Sequence, residues 1–462
     1  MSRVCIIGLD CLTPQLVFDQ YLNHLPYIKE LLSQSAWGRL ESSMPPITIP
    51  AWSAMVTGCD PGQLGIYGFR NRRDRSYTRR VLPSSLSLPL PTLWQVLTDH
   101  HRRSRVLTVP QTYPARPLNG TLIAGFPVPD FNGAVSHPPE LWDTVRARHP
   151  DFQMDVEDFR YRAPAEVYEE VVRMTNARFE VAERWVSAED WDLFMMVEMG
   201  PDRLHHSLWD LTQPDHPAYD ADHPLSGAML EYYRLLDSRL GRLLSQLRDD
   251  DLLLVVSDHG AQAMRGAFAL NQWLVEKGHL VLTPDHPASG PLVPQHVDWE
   301  KTRAFGDGGY VGRIYFNVQG REPRGCLLPE QMPGFVEKLR KQLQGLPGPE
   351  GSNLQTQALS PEEAYGPSTR GVPPALTLLV EDLSFRVLGT LGHPDLMVNQ
   401  NDRGHDGANH AQHGIVIARS EALPPGQRVG LSLYDIAPTV LHHLQIPVPP
   451  HMKGLALQSK AY

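Results

Sequence analysis

The sequence has few cysteines and no long apolar run. Its four cysteines are Cys5, Cys11, Cys59 and Cys326, and they show no CxxC spacing, which argues against a disulfide framework and a thiolate zinc site. No stretch reaches the ~18 consecutive apolar residues of a membrane-spanning helix. The apolar run at the N-terminus is too short for a secretion signal. We therefore expect a soluble cytoplasmic protein without a membrane partner.

Excess positive charge is also missing. The chain has 42 Lys and Arg residues against 52 Asp and Glu, giving a formal net charge of −10. A nucleic-acid polymer requires a basic surface, so this balance argues against such a partner. We interpret the short basic run from Arg70 to Arg75 as a solvated loop. The length of 462 residues, 41% of them hydrophobic, allows a large core and two lobes.

Two apolar runs end in residues that could ligate a metal. Residues 252–256 are all apolar and lead into Asp258 and His259. Such a run is typical of a buried parallel strand, which presents polar groups at its carboxyl end. Val4 to Leu9 is a second run, and Asp10 follows it. The alternative for Asp10 is a helix N-cap, although the second acid at a strand end makes a shared metal site the stronger hypothesis.

Further residues that could ligate a metal lie after one predicted strand and before another. A strand over 191–199 is followed by a Gly-Pro pair, so a helix beginning near Pro201 would place Asp202 and His206 on one face, four residues apart. A carboxylate and an imidazole at this spacing can bind one ion, although the pattern alone is a weak signal. Three histidines precede a predicted core strand over 415–418, and they are His405, His410 and His413.

A hydroxyl group lies at a predicted helix start. The prolines before Thr48 favour an extended approach, Pro50 fits the first turn of a helix, and Gly58 fits its end. Thr48 would then lie beside free backbone N–H groups that bind an oxyanion or a phosphate. The alternative is that Thr48 only caps the helix, and the two roles are compatible.

The order of these elements predicts an α/β fold with a central, mostly parallel sheet. The alternation of strands and helices breaks after residue 260, where a Pro- and Gly-rich stretch with an antiparallel-like strand over 311–317 begins. We predict a catalytic core formed by residues 1–260 and 405–462, with a smaller α+β lobe, 261–404, inserted in it. Residues 59–104 are expected to be mainly loops, and 431–444 to form the closing helix.

Six motifs in this order resemble the alkaline-phosphatase superfamily. More closely, the chain is similar to type I phosphodiesterases and nucleotide pyrophosphatases, including their bacterial group of predicted phosphohydrolases and phosphomutases. The resemblance covers nearly the whole chain and implies an alkaline-phosphatase-like sheet flanked by helices. The matching segments are 6–10, 45–52, 202–206, 257–260, 410–414 and, in the tail, 435–441 with 447–454.

The resemblance implies a role for each candidate residue. It implies a two-metal site with two divalent ions, usually zinc in relatives, and carboxylate and imidazole ligands also suit manganese. Thr48 would be the nucleophile and a ligand of the first ion. His410 is the least certain ligand, with His405 and His413 as alternatives. The implied first-ion ligands are Asp10, Thr48, Asp258 and His259, and the second-ion ligands are Asp202, His206 and His410.

The expected activity is hydrolysis of a phosphodiester or pyrophosphate bond in a small, nucleotide-containing phosphate ester, through a phosphothreonine. A phosphomonoesterase or phosphonate hydrolase with the same site is the first alternative. A sulfatase and a cofactor-independent mutase are less favoured, because the former normally has a modifiable Cys or Ser and the latter Ser where this chain has Thr48. A non-catalytic, metal-stabilised binding protein would explain the ligands but not the hydroxyl at a helix start.

Overall fold

A computed structural model describes residues 3–129, 131, 133–188, 190–348, 351, 353–399 and 401–460. Strands form two large sheets and three small ribbons within these ranges. In chain order the strands are β1 (Val4–Leu9), β2 (Ala36–Glu41), β3 (Asn71–Arg72), β4 (Arg80–Val81), β5 (Ser104–Val109), β6 (Gly120–Ala124), β7 (Ser136–His137), β8 (Leu193–Glu198), β9 (Leu252–Val256), β10 (Gly260–Ala263), β11 (Gly266–Ala269), β12 (Gly290–Pro291), β13 (Ala304–Asp307), β14 (Gly312–Phe316), β15 (Thr356–Leu359), β16 (Leu376–Val380), β17 (Phe385–Leu388), β18 (Thr390–Leu391), β19 (Met397–Val398), β20 (Ala408–Ala411), β21 (His413–Arg419) and β22 (Gly426–Ser432).

The α-helices alternate with the strands of the first half of the chain. They are α1 (Pro26–Ser33), α2 (Thr48–Thr57), α3 (Pro61–Leu64), α4 (Leu93–Asp99), α5 (Leu141–Arg148), α6 (Pro164–Val186), α7 (Gly200–Thr212), α8 (Ala228–Leu244), α9 (Leu270–Glu276), α10 (Met332–Leu343), α11 (Pro361–Tyr365) and α12 (Ile436–His443). Across the part of the chain that the structure describes, no helix combines the length and the apolar character that crossing a membrane requires.

The larger sheet has the strand order β22-β2-β21-β9-β1-β8-β5-β6-β7. Five of its eight neighbouring pairs are parallel, so the predicted mostly parallel α/β fold is confirmed. Strands β1, β8 and β9 lie side by side at its centre and every residue in them is buried, as expected for strands covered on both faces. Because these three strands are parallel, the segments that follow them meet at one edge of the sheet.

The second sheet is mainly antiparallel and has its own apolar core. Its order is β13-β14-β16-β17-β11-β19, with β15 also paired to β16. The core packs around large side chains such as Phe268, Trp273 and Phe305. All of its strands lie between residues 266 and 398.

A short ribbon links the two ends of the chain beside the central strands. Strand β10 pairs antiparallel with β20, so that Ala261 faces His410 across the ribbon. Since β10 begins directly after His259, this pairing brings His410, from the last eighth of the sequence, to the end of β9.

One expectation about local structure, a closing helix over 431–444, was wrong in its start. Residues 431 and 432 belong to strand β22, where Leu431 pairs with Leu40, and a 3₁₀ turn over Leu433–Asp435 precedes α12. Residues 59–104 are mainly loops, as expected, and also contain the short helices α3 and α4. Asp60 and Thr92 start these helices with capping boxes, whose local hydrogen bonds stabilise even short helices.

Replacing Gly8 by Ala tests the packing at the centre of the larger sheet. A Cβ added to Gly8 would lie 2.5 Å from the Trp52 ring and 2.8 Å from Val197, so Gly8→Ala should lower the free energy of unfolding by about 1–3 kcal/mol. Gly227→Ala is the control, because a Cβ there has no atom within 4 Å; its effect should stay within about 0.5 kcal/mol. Urea unfolding measures both, and equal stabilities of the two variants would contradict this packing.

Candidate metal centre

The candidate ligands meet where the central strands end. Asp10 follows β1, Asp258 and His259 follow β9, and the helix after β8 carries Asp202 and His206 on one face. These five residues, with Thr48 and His410, are 2% exposed or less. The structure therefore brings all seven predicted site residues into one buried region.

His259 is at the centre of the first group. Its Nε2 atom lies 3.2 Å from Asp258 Oδ2 and 3.9 Å from Asp10 Oδ1. The same nitrogen lies 3.4 Å from the hydroxyl oxygen of Thr48. The two carboxylates, the imidazole and the hydroxyl thus surround a single small volume.

Asp202 is at the centre of the second group. Its Oδ1 atom lies 3.3 Å from His206 Nε2 and 3.6 Å from His410 Nε2, and the two imidazole nitrogens are 3.3 Å apart. The His410 ring also stacks on that of His259, with centroids 3.8 Å apart. The two groups are therefore adjacent, as two neighbouring ions would require.

Three buried carboxylate oxygens in this region make no hydrogen bond to a described residue. They are Asp10 Oδ1, Asp202 Oδ1 and Asp258 Oδ2. A buried carboxylate oxygen left without a partner carries a desolvation penalty that a cation or a proton relieves. Asp10 and Asp202 belong to two ligand groups with atoms within 4.8 Å of one another, namely Asp202 with His206 and His410, and Asp10 with Asp202 and His259. The donor set therefore fits divalent metal ions.

The protonation preferences of the region follow from burial and like charge. Burial and the charge of Asp202 hold the pKa of Asp10 well above its usual range, and burial with the charge of Asp10 does the same for the pKa of Asp258. Burial lowers the pKa of the His259 and His410 imidazoles. The two imidazoles are therefore neutral and can bind a metal ion directly. A metal ion must instead displace a proton from Asp10 and from Asp258. Since fewer protons compete at higher pH, metal affinity should increase with pH.

The structure separates the three candidate histidines near the end of the chain. His410 lies in the buried cluster, at 1% exposure. His405 pairs instead with Asp210, at 3.2 Å, and its side chain is 42% exposed. His413 is exposed at the start of β21. Only His410 of the three approaches Asp202 and His206 in the described part of the chain.

Thr48 is the first residue of α2 and does not act as its cap. Ile47 holds the N-cap position with extended backbone angles, and no side chain caps the helix. The Thr48 hydroxyl faces His259 instead. Because the first N–H groups of a helix lack intrahelical partners, α2 presents both a hydroxyl and backbone donors towards the cluster.

Cys11 also lies within ligand distance of His259 and His410. Its thiol donates to the carbonyl oxygen of Gly260 at 3.4 Å. Burial raises the pKa of this thiol well above its usual value, which disfavours the thiolate that a metal requires. Cys11 is therefore a weaker candidate ligand than the carboxylates.

Sequence patterns did not reveal the residues that hold the ligands in place. Asp406 accepts a hydrogen bond from His206 Nδ1 at 2.7 Å, Tyr310 OH lies 3.1 Å from His206 Nε2, and Trp52 Nε1 donates to Asp10 Oδ2 at 2.6 Å. Asp406 lies within the His-rich stretch before β21, so its position was a usable signal. Nothing in the sequence around Tyr310 indicated its role.

A mostly parallel α/β sheet with buried carboxylates and imidazoles at its strand ends is an alkaline-phosphatase-like arrangement with candidate metal ligands. Residues 4–414 match the family model described as type I phosphodiesterase / nucleotide pyrophosphatase, and the chain belongs to that family. It is accordingly a hydrolase that acts on phosphodiester or pyrophosphate bonds.

Solved structures share this fold at low sequence identity. Human ectonucleotide pyrophosphatase / phosphodiesterase 5 has a TM-score of 0.59 and 14% identity over 98% of this chain and 97% of its own. An inactive form of the murine protein, in complex with AMP, has a TM-score of 0.58 and 14% identity, again over 98% of this chain and 97% of its own. No curated protein sequence matches the chain significantly.

Replacing Asp406 tests whether a residue outside the ligand set positions a metal ligand. Asp406→Asn removes the carboxylate that orients His206, so metal affinity should fall about 10- to 100-fold. Asp210→Asn is the matched control, because it disrupts a similar pair with His405 outside the cluster. Competition with a chromogenic chelator measures both affinities. Equal affinities of the two variants, with both folded by circular dichroism, would show that Asp406 does not support the centre.

Proposed function

We propose that the chain hydrolyses phosphodiester or pyrophosphate bonds of nucleotide-containing small molecules through a phosphothreonine at Thr48, with two divalent metal ions. The observation that carries this proposal is the placement of the Thr48 hydroxyl, 3.4 Å from His259 Nε2, at a helix start within the ligand cluster. This hydroxyl does not cap α2, and its position suits a nucleophile at the metal site.

The two groups of side chains supply ligands for the two ions. Asp10, Asp258 and His259, with Thr48, would hold the first ion. Asp202, His206 and His410 would hold the second. Carboxylate, imidazole and hydroxyl ligands suit zinc first and manganese second. When bound, the ions supply positive charge that lowers the pKa of the hydroxyl and stabilises negative charge on phosphate oxygens.

Thr48 performs the covalent step of the proposed reaction. Its hydroxyl releases its proton to solvent, and Oγ1 then attacks phosphorus in line, so that the Oγ1–P bond forms while the bond to the leaving oxygen breaks and that oxygen takes up a proton from water. The backbone N–H groups of Thr48 and Ile49 donate to the non-bridging oxygens. A water molecule then attacks phosphorus from the opposite side and releases the phosphoryl product, which regenerates the hydroxyl.

The substrate class rests on the family and on one relative. An inactive form of the murine protein is in complex with AMP, which supports a nucleotide-containing substrate for this chain. We also propose that residues 1–260 and 405–462 form the catalytic core and that 261–404 form an inserted lobe beside the site. Support comes from the second sheet, whose strands all fall between 266 and 398.

Thr48→Ala separates catalysis from metal binding. Without the nucleophile, turnover of bis-p-nitrophenyl phosphate should fall by about a thousandfold or more, while the carboxylates and imidazoles retain the metal. Thr48→Ser is the control, because it keeps a hydroxyl and should keep measurable activity. Release of p-nitrophenol and metal analysis give the two readouts. Near-normal turnover by Thr48→Ala would exclude the phosphothreonine, and no turnover by metal-loaded wild type would favour a binding protein.

A further inference from the structure

A cleft lined by arginine side chains adjoins the metal centre. It consists of two neighbouring cavities of about 230 and 260 Å³. Both are lined by Gly308 and Gly309, and they also share the side chains of Arg70, Arg313, Arg386 and Arg403. Arg80 lines the first cavity and Arg160 the second.

One end of the cleft reaches the candidate catalytic residues. Ile47, which directly precedes Thr48, lines the cleft together with Tyr310. The Tyr310 ring stacks on His410 with centroids 3.7 Å apart, and its hydroxyl accepts from Arg160 Nη2 at 2.6 Å. A molecule with its phosphorus at Thr48 can therefore extend past Tyr310 into the cleft.

The positive charge of the cleft is only partly neutralised. Two arginines share Asp307, since Arg80 lies 3.2 Å and Arg313 lies 3.7 Å from its carboxylate. Arg160 and Arg386 share Asp406 at 3.0 and 2.7 Å. Each pair of arginines thus has one carboxylate, which leaves one positive charge in excess.

Two further arginines have no carboxylate of their own. Arg70 and Arg403 line both cavities and are exposed, and among the described residues no ion pair joins either side chain to a carboxylate. The remaining acid of the cleft, Asp402, accepts a hydrogen bond from Thr390 at 3.0 Å. Arginine is thus in clear excess here, on a chain whose formal net charge is −10.

The structure also fixes the loop that carries Arg70. Arg313 Nη1 donates to the Arg70 carbonyl oxygen at 2.6 Å. A Cβ added to Gly68 would lie only 3.1 Å from the same nitrogen, so the loop packs closely against Arg313. The basic run predicted as a solvated loop therefore begins with a residue that is held at the cleft. Planar guanidinium groups in this arrangement match phosphate oxygens through paired hydrogen bonds.

We propose that this cleft binds a second phosphate group of the substrate, on the part of the molecule beyond the scissile phosphorus. The inference rests on the proposed function, since it assumes that phosphorus is attacked at Thr48. A positive cleft on an acidic chain concentrates anionic ligands, whereas a neutral extension gains no charge-assisted contact with the arginines. The enzyme should therefore prefer doubly phosphorylated substrates to singly phosphorylated ones.

A pair of chromogenic diesters tests this preference. The probes are the p-nitrophenyl ester of thymidine 5′-phosphate and the same ester carrying a 3′-phosphate, which share one scissile bond. Wild type should show a kcat/KM about tenfold higher for the 3′-phosphorylated ester, the effect of one charge-assisted contact. The Arg70→Gln/Arg403→Gln double variant should reduce this ratio to about one. Arg148→Gln, at an exposed position on α5, is the control and should keep the wild-type ratio.

A binding measurement on the same proteins separates the two proposals. Calorimetry with thymidine 3′,5′-bisphosphate and thymidine 5′-monophosphate should show about tenfold tighter binding of the bisphosphate to metal-loaded wild type, and not to the double variant. Equal kcat/KM and equal affinities for both members of each pair would overturn the phosphate cleft while leaving the hydrolase proposal intact. Selective binding without hydrolysis of either ester would support the cleft and contradict the proposed function.

Discussion

The structure depends on burying three carboxylates where parallel strands end. Asp10, Asp202 and Asp258 each have an oxygen without a hydrogen-bond partner among the described residues, in a region closed to solvent. Burial and the charge of a neighbouring carboxylate raise the pKa of Asp10 and Asp258, so without a cation these two acids favour bound protons. Cations relieve the same repulsion and convert a costly cluster into a stable one. The fold thus accepts an electrostatic cost that metal binding offsets.

The second requirement is that distant parts of the chain meet at this cluster. The parallel strands β1, β8 and β9 bring together three acids that are up to 248 residues apart in sequence, from Asp10 to Asp258. The β10–β20 ribbon then places His410 beside His259. Asp406 accepts a hydrogen bond from the ligand His206 and forms ion pairs with Arg160 and Arg386. The same aspartate therefore connects the metal centre to the arginine cleft, so charge in one affects the other.

Local patterns predicted the strands and helices that carry the ligands. The two apolar runs predicted strands β1 and β9, which the structure contains. The spacing of Asp202 and His206 predicted a helix, and both residues lie on α7. His410 came from resemblance, because no local pattern shows which strand will pair with β10. Asp406, Tyr310 and Arg70 contribute through contacts between remote segments, and a single sequence does not encode such contacts in any local period. The partition into core and inserted lobe, the ligand roles and the cytoplasmic location remain predictions.

The central claim is that the phosphoryl group is transferred first to the Thr48 hydroxyl and then to water. Two in-line displacements retain the configuration at phosphorus, whereas one direct attack by water inverts it. The direct measurement is hydrolysis, in ¹⁸O-water, of a p-nitrophenyl thymidine 5′-phosphorothioate of one phosphorus configuration, with stereochemical analysis of the product. The account predicts retention, and inversion would contradict it.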